Sequence, residues 1–199
     1  MNPDEVHRQW EERSGEFSPA YYAYYGSDTA STQIQCVLDS QTGSEPAVLE
    51  LGCSSGRHLA HLHDHGYGNL SGIEINAEAL DVMAESYPAL AVCGTFYTDS
   101  IENVITEFEN EQFDVVYSVE TLQHLHPESR WVFEELSRIT SDLLITVENE
   151  GSEGEGVNYV NNEFPLYYRD WKQLLTDRGF VHLESVPLRR DTLRVFRSR

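Results

Sequence analysis

Cations are scarce in this chain: of 199 residues only 13 are lysine or arginine, Lys172 is the one lysine, and 34 acidic residues bring the formal net charge to −21. Such a surface repels a polyanion, so nucleic acid is disfavoured as a substrate. The acids run through every segment instead of gathering in a tail, which argues against an acidic arm made for a basic partner. Cysteine is also sparse. Cys36, Cys53 and Cys93 are odd in number and form no C-x-x-C, so a disulfide framework is not required and neither a zinc knuckle nor a redox pair is signalled. They are expected to be small buried hydrophobes. No apolar run approaches the roughly 18 residues of a membrane helix, and the first residues lack the basic, apolar and small-residue succession of an export signal. A soluble, cytoplasmic protein with no membrane partner is therefore expected. No internal repeat or second domain is visible, so residues 1–199 read as one domain, long enough to bury about 70% of its unfolded surface.

What is present centres on residues 47–76. Ala47-Val48-Leu49-Glu50-Leu51 is a near-continuous apolar run of the kind a parallel strand covered on both faces needs. The small-residue turn Gly52-Cys53-Ser54-Ser55-Gly56 follows, where glycine allows positive φ and close approach of a ligand to the backbone. A helix beginning near Arg57 points its free N–H groups over that turn. Gly66 and Gly68 end the helical stretch, and Leu70–Ile75 forms a second strand, closing a βαβ unit with Glu74 where ribose hydroxyls would bind. A dinucleotide G-x-G-x-x-G starting at Gly52 would need glycines where Ser54 and Arg57 stand, so a nicotinamide cofactor is weakly supported.

The remaining pattern, E-x-G-x-x-x-G over Glu50, Gly52 and Gly56 with the acid Glu74, resembles the class I (Rossmann-like) S-adenosylmethionine-dependent methyltransferases. Ser54 stands where that family usually has a further glycine. The resemblance implies an α/β fold, a Rossmann-like, doubly wound, mostly parallel seven-stranded sheet ending in an antiparallel strand pair. It implies S-adenosyl-L-methionine as cofactor, held by Glu50, Gly52, Cys53, Ser54, Gly56, Glu74 and Ile75. With a third strand read at Leu90–Cys93, Thr95 takes the place of the acid that touches adenine, Phe96 can cover the base, and Asp99 is an acidic substitute a turn later. Ser118, at the end of a fourth strand Phe113–Val119, belongs with the cofactor set. In the loop beyond it Glu120, His124 and His126 face the transferable methyl, and an unperturbed imidazole makes His124 a candidate general base. The segment before the first strand folds over the cofactor in many relatives, which would bring Tyr21, Tyr22, Tyr24 and Tyr25 into the pocket, with Tyr22 a catalytic candidate. Packing of these rings on the domain's flank is the competing reading.

Elsewhere, helices are expected at about 29–39, 76–87 (closed by Pro88), 128–139 and 168–178, and strands at 143–147, 180–186 and 193–196, the last two an antiparallel pair. Glu148–Gly156 is glycine-rich and acidic, expected as a mobile loop, with 157–167 a lid. Residues 1–45 would then form a cap, 46–150 the cofactor-binding core, and 151–199 the lid with the closing helix and strands. His58, His61 and His65 share one side of a helix, but no cysteine or carboxylate completes a ligand set, so no metal is expected. The functional expectation is methyl transfer to an unidentified small-molecule acceptor; the alternative is a non-catalytic nucleoside-binding or assembly protein on the same fold. Oligomeric state is not legible. Self-repulsion at −21 eases as salt shortens the Debye length, so the composition also suggests a halophilic archaeal source.

Overall fold

Apolar runs that cannot face water on either side end up in the middle of a sheet, and here β1 (Val48–Leu51), β4 (Phe113–Val119) and β5 (Thr140–Glu148) do so. The computed structural model describes residues 2–151, 156–161 and 164–199. With β2 (Leu70–Glu74), β3 (Thr95–Thr98), β8 (Val181–Pro187) and β9 (Thr192–Arg197) these strands form one seven-stranded sheet, ordered β3-β2-β1-β4-β5-β9-β8. β9 alone runs against the direction of the other six strands. The expected Rossmann-like α/β sheet with an antiparallel C-terminal strand pair is the one observed. A separate antiparallel ribbon joins β6 (Val157–Val160) to β7 (Phe164–Tyr167), where a lid was expected. Of the loop expected over 148–156, residues 152–155 lie outside the described residues.

Successive residues of a strand point to opposite faces, and the two cores divide accordingly. Leu49, Leu51, Ile73, Val116 and Leu144 pack with Phe133 and Leu136 of α8 (Val132–Ile139) and Trp171 of α9 (Trp171–Thr176). Val48, Val115, Tyr117, Leu143 and Ile145 pack with Ile34 and Leu38 of α3 (Thr29–Gln41) and Leu59 and Leu62 of α4 (Arg57–Asp64). Full burial of each such side chain contributes about 1.5–3 kcal/mol. β1 pairs with β2 on one side and β4 on the other. Chain order therefore reverses between β1 and β4, and a crevice opens beyond the carboxyl ends of those strands.

One expected element is wrong in kind. Leu90–Cys93 is not a strand; it belongs to α6 (Pro88–Cys93), which follows α5 (Glu78–Ser86), and the third strand is Thr95–Thr98. Pro88 occupies the first helical turn, where its missing N–H costs nothing. Only Leu90 of the run is buried, and Val92 is 85% exposed. The true β3 is a sheet edge, with two exposed and two half-buried residues, so it needs no apolar run. Two cysteines also depart from expectation: Cys36 and Cys93 are exposed, and only Cys53 is buried.

Candidate active site

The crevice at the β1/β4 reversal is a cleft of about 1090 Å³, a volume that includes open solvent at its mouth. Its floor is the carboxyl ends of β1, β2 and β4. Its roof is α1 (Pro3–Glu11) and α2 (Pro19–Tyr25), which contribute Val6, His7, Trp10, Pro19 and Tyr22.

The glycine turn is shaped for this place. Gly52 has φ +68°, and a side chain there would collide with Thr121 Oγ1 of the loop after β4, so the two banks of the crevice touch at a residue without Cβ. Ser54 N–H donates to Glu74 Oε2 at 2.8 Å, and Asn76 N–H donates to Oε1 at 2.8 Å. Glu74 thus ties the end of β2 to the turn after β1 without using up all of its lone pairs. Burial raises its carboxyl above the usual range, against the N–H groups of Asn76, Ser54 and Ile75 that favour the charged form. Glu50, 1% exposed, accepts from the Tyr117 hydroxyl at 3.0 Å, and burial pushes its carboxyl well up.

The opposite bank is the 3-10 turn Leu122–His124 after β4. Its amides meet a buried carboxylate. Glu148, 0% exposed at the end of β5, accepts from Leu122 N–H and Gln123 N–H at 3.1 Å each, and from Ser118 Oγ at 2.5 Å. Its carbonyls meet a guanidinium, since Arg169 donates to Leu122 O at 3.1 Å and to Leu125 O. Charges of opposite sign thus satisfy the two ends of one short turn. His124 sits on it, buried, with Nδ1 2.8 Å from Pro165 O. A carbonyl only accepts, so Nδ1 carries the proton and Nε2 the lone pair. Burial lowers the imidazole to about 4. His124 is therefore neutral at pH 7 but a weak base, which corrects the premise on which it was selected.

The roof is held by polar links. His7 Nε2 lies 2.9 Å from Glu102 Oε1, and Asn76 Nδ2 donates to Arg13 O at 3.1 Å. Trp10 stacks between His124 and Phe164 of β7, with ring centroids 4.8 and 4.4 Å away. The hydrogen bond to Glu102 raises His7 above its ordinary value. Although burial works upward on Glu102, hydrogen bonds from His7 and Ser129 hold its carboxyl low. The His7 contribution is full below about pH 6.5 and is lost as pH rises through the raised value; the Glu102 contribution is present above about pH 4.3 and is lost as pH falls. His7→Ala should therefore lower stability by roughly 0.5–1 kcal/mol at pH 6 and by less at pH 9. Thermal melts at both pH values in equal salt check this, and an identical loss at both would remove the ion pair from the account.

The tyrosines divide. Tyr22 lines the cleft beneath Arg57, whose guanidinium carbon is 5.1 Å from the ring centroid, whereas Tyr24 and Tyr25 are 85% and 61% exposed. Tyr21 packs its ring on Phe17, Tyr22 and Tyr25. Burial raises the Tyr22 phenol, so at neutral pH it can donate a proton in a hydrogen bond but not act as a base.

Of the other residues singled out in the sequence, Cys53, Ser54 and Ile75 line the cleft with Glu50, Gly52 and Glu74. Four residues do not. Thr95 and Phe96 lie at the amino end of β3, paired with Ser71 and Gly72, because the strand begins where it was expected to have ended. Asp99, Ser100 and Ile101 hold the cleft wall instead. Gly56 faces Leu90 and Met83, each 2.9 Å from where its Cβ would be, so its glycine serves packing of α4 on α5 and α6. Ser118 is wholly buried, its hydroxyl on Glu148. His58 and His61 are also structural, bonded to Ser31 Oγ at 2.7 Å and Gln35 Oε1 at 2.9 Å. The sequence reading missed Glu148, Trp10 and His7. Glu148 ends an apolar strand, a position that could have marked it.

Residues 48–142 match the family model described as "Methyltransferase domain". None of the curated protein sequences matches the chain. Solved structures share the fold at low identity. The magnesium protoporphyrin IX methyltransferase of Synechocystis PCC 6803 with bound S-adenosylmethionine is 15% identical, covers 98% of this chain and 90% of its own, and gives a TM-score of 0.66. A Burkholderia thailandensis 1,6-didemethyltoxoflavin-N1-methyltransferase with S-adenosylhomocysteine is 15% identical over 86% and 79%, with a TM-score of 0.68. A Pyrococcus horikoshii OT3 protein is 17% identical over 89% and 96%, with a TM-score of 0.69. Among the described residues no helix is long and apolar enough to cross a membrane. The family match and the sheet coincide on one stretch: residues 48–142, which match the methyltransferase-domain model, carry β1 to β4 and the glycine turn, and the chain has the class I fold of its methyltransferase neighbours.

Proposed function

We propose that this chain is an S-adenosylmethionine-dependent enzyme and that it methylates a small molecule held between the α1–α2 roof and the loop after β4. The observation that carries the reading is Glu74: a carboxylate at the end of β2, bonded to the glycine turn, with acceptor capacity left over in a roofed cleft. These residues fit a nucleoside sulfonium. Glu74 suits the ribose diol, the Gly52–Ser54 turn suits the amino-acid part beside Glu50, and Asp99 takes the place beside the base that Thr95 was expected to fill. When bound, S-adenosylmethionine supplies a methyl carbon already activated by positive sulfur. The chain's own task is then alignment and exclusion of water, which the roof of Trp10, Pro19 and Tyr22 serves. His124, its Nδ1–H donated to Pro165 O, presents Nε2 as a hydrogen-bond acceptor. Residues 1–45 act as the cap, 46–150 as the cofactor-binding core, and 151–199 as its closing ribbon, helix and strands. The compounds in the neighbours' names, 1,6-didemethyltoxoflavin and magnesium protoporphyrin IX, support a small acceptor. Incubating the enzyme and methyl-labelled cofactor with fractionated cell extract tests the reading: label entering one fraction supports it, and cofactor binding without transfer in any fraction opposes it.

The composition supports a salt-rich cytoplasm as the working environment. With a net charge of −21, screening should raise Tm between dilute and molar KCl by at least about 5 °C, equivalent to ~2 kcal/mol for a chain of this size. A flat response across that range would reject the halophilic reading.

A further inference from the structure

The bank of the cleft opposite the glycine turn carries one carboxylate outside the scaffold described so far. Glu120 lines the cleft directly after β4, at φ +49°, a conformation a non-glycine residue adopts at a cost. Its backbone N–H is fixed on Val147 O at 2.8 Å, so its position is set by β5. From the turn between β8 and β9, Asp191 reaches hydrogen-bonding distance of Glu120, and Arg190 lies 3.8 Å from Glu120 Oε1. Two carboxyls and one guanidinium leave a single negative charge at this place. Trp10, Phe17 and Tyr22 line the same cleft, and Tyr22 lies near enough to Glu120 for the carboxylate to raise its phenol. The wall also holds an indole N–H, on Trp10, buried with no acceptor among the described residues.

The charge of the whole cleft points the same way. Glu74, Asp99 and Glu120 line it beside Glu50, whose carboxyl burial pushes well up, and Glu102, which is paired with His7; its two arginines are engaged, Arg57 on Asp28 at 2.7 Å, and Arg13 on Glu16 O and over the Phe164 ring. An anionic acceptor would meet carboxylates. A cation would meet aromatic faces and a carboxylate, which is how ammonium groups are recognised.

We propose, on the basis of the transferase reading above, that the acceptor is a protonated amine seated on Glu120 among Trp10, Phe17 and Tyr22, and that the Glu120–Asp191 pair takes its proton. The ammonium N–H bond breaks and the proton passes to the carboxylate pair. The freed nitrogen lone pair then forms the new C–N bond while the C–S bond breaks, its electron pair remaining on sulfur. The product leaves as a methylated ammonium. Burial and the neighbouring Glu120 push Asp191 up to about 7, with Glu148 adding to the rise and Arg190 opposing it. Tyr22, raised by burial and by Glu120, stays protonated beside the pair. The pair therefore becomes able to accept a proton as pH rises through neutrality.

The test uses the full chain, S-adenosyl-[methyl-13C]methionine and amine-containing fractions of cell extract, with the 13C shift of the product methyl separating N-methyl from O-, S- and C-methyl. The expected result is an N-methyl signal, a rate that rises with pH through about 7, and a Glu120→Gln variant slower by on the order of 10²- to 10⁴-fold. That variant should lose the pH step while binding S-adenosylhomocysteine as the wild type does. Asp191→Asn, which acts through Glu120, should shift the step without abolishing turnover, and Glu120→Asp should restore part of the rate. An O-, S- or C-methyl product, or a Glu120→Gln variant with an unchanged pH profile, overturns the amine assignment and leaves the transferase reading standing. Failure of the wild type to bind S-adenosylhomocysteine overturns both.

Discussion

Glu74→Ala should weaken S-adenosylmethionine binding by on the order of 10- to 1000-fold. Hydrogen bonds to a charged group are worth about 1.5–3 kcal/mol each, each tenfold in affinity is about 1.4 kcal/mol, and water entering the vacated space recovers part of the loss. The substitution has a second consequence that the strand-end position alone does not reveal. Glu74 also accepts the N–H groups of Ser54 and Asn76, so alanine leaves both donors without their carboxylate and should lower stability by about 1–3 kcal/mol. Ser54 itself sits at φ +49°, so the turn is the segment most exposed to that loss. Calorimetric titration separates ribose recognition from turn support when 5′-methylthioadenosine is compared with its 2′-deoxy form. If Glu74 touches the diol, removing the 2′-hydroxyl weakens binding to the wild type and changes little in the variant. An equal penalty in both proteins would confine Glu74 to holding the turn.

Glu148→Ala should cost about 3–5 kcal/mol of stability, a third or more of what a domain of ordinary stability possesses. The carboxylate is fully buried and collects the N–H groups of Thr121, Leu122 and Gln123 and the Ser118 hydroxyl. Each buried donor left unpaired costs about 1–3 kcal/mol, and an adventitious water would satisfy only some of them. Turnover should fall as well, because the same turn carries His124 and begins beside Glu120. Burial pushes the Glu148 carboxyl up to about 7, against these four donors, which favour the charged form. The native value thus lies above the unfolded value of about 4.3. The group's contribution is full below about pH 4.3 and is lost as pH rises through about 7. Chemical denaturation at pH 5 and pH 8 should show a drop in stability for the wild type and a smaller drop for Glu148→Gln, whose amide does not titrate. An equal drop in both would assign the pH dependence to other buried carboxyls.

The β1–turn–α4–β2 unit was legible in the sequence because everything that makes it is local. A run covered on both faces is apolar at every position, the turn needs glycine at Gly52, and Glu74 follows at the end of the next run; β1, β2 and β4 appear within one or two residues of their expected ends. The antiparallel strand pair was legible for the same reason. β3 was not, since a half-exposed edge strand carries no apolar signature while the helix before it, Pro88–Cys93, imitates one over four residues. That displacement moved the wall from Thr95 and Phe96 to Asp99 and Ser100. The partners that hold the cleft were beyond sequence for another reason: Glu148 and Ser118 are 30 residues apart, and His7 and Glu102 are 95 apart. Periodicity and turn chemistry report on neighbours within a few residues. Which donor a buried carboxylate meets, and therefore how far its pKa moves and what it supports, is decided only when the sheet order brings β5 beside β4 and lays α1 across the ends of β1 and β2.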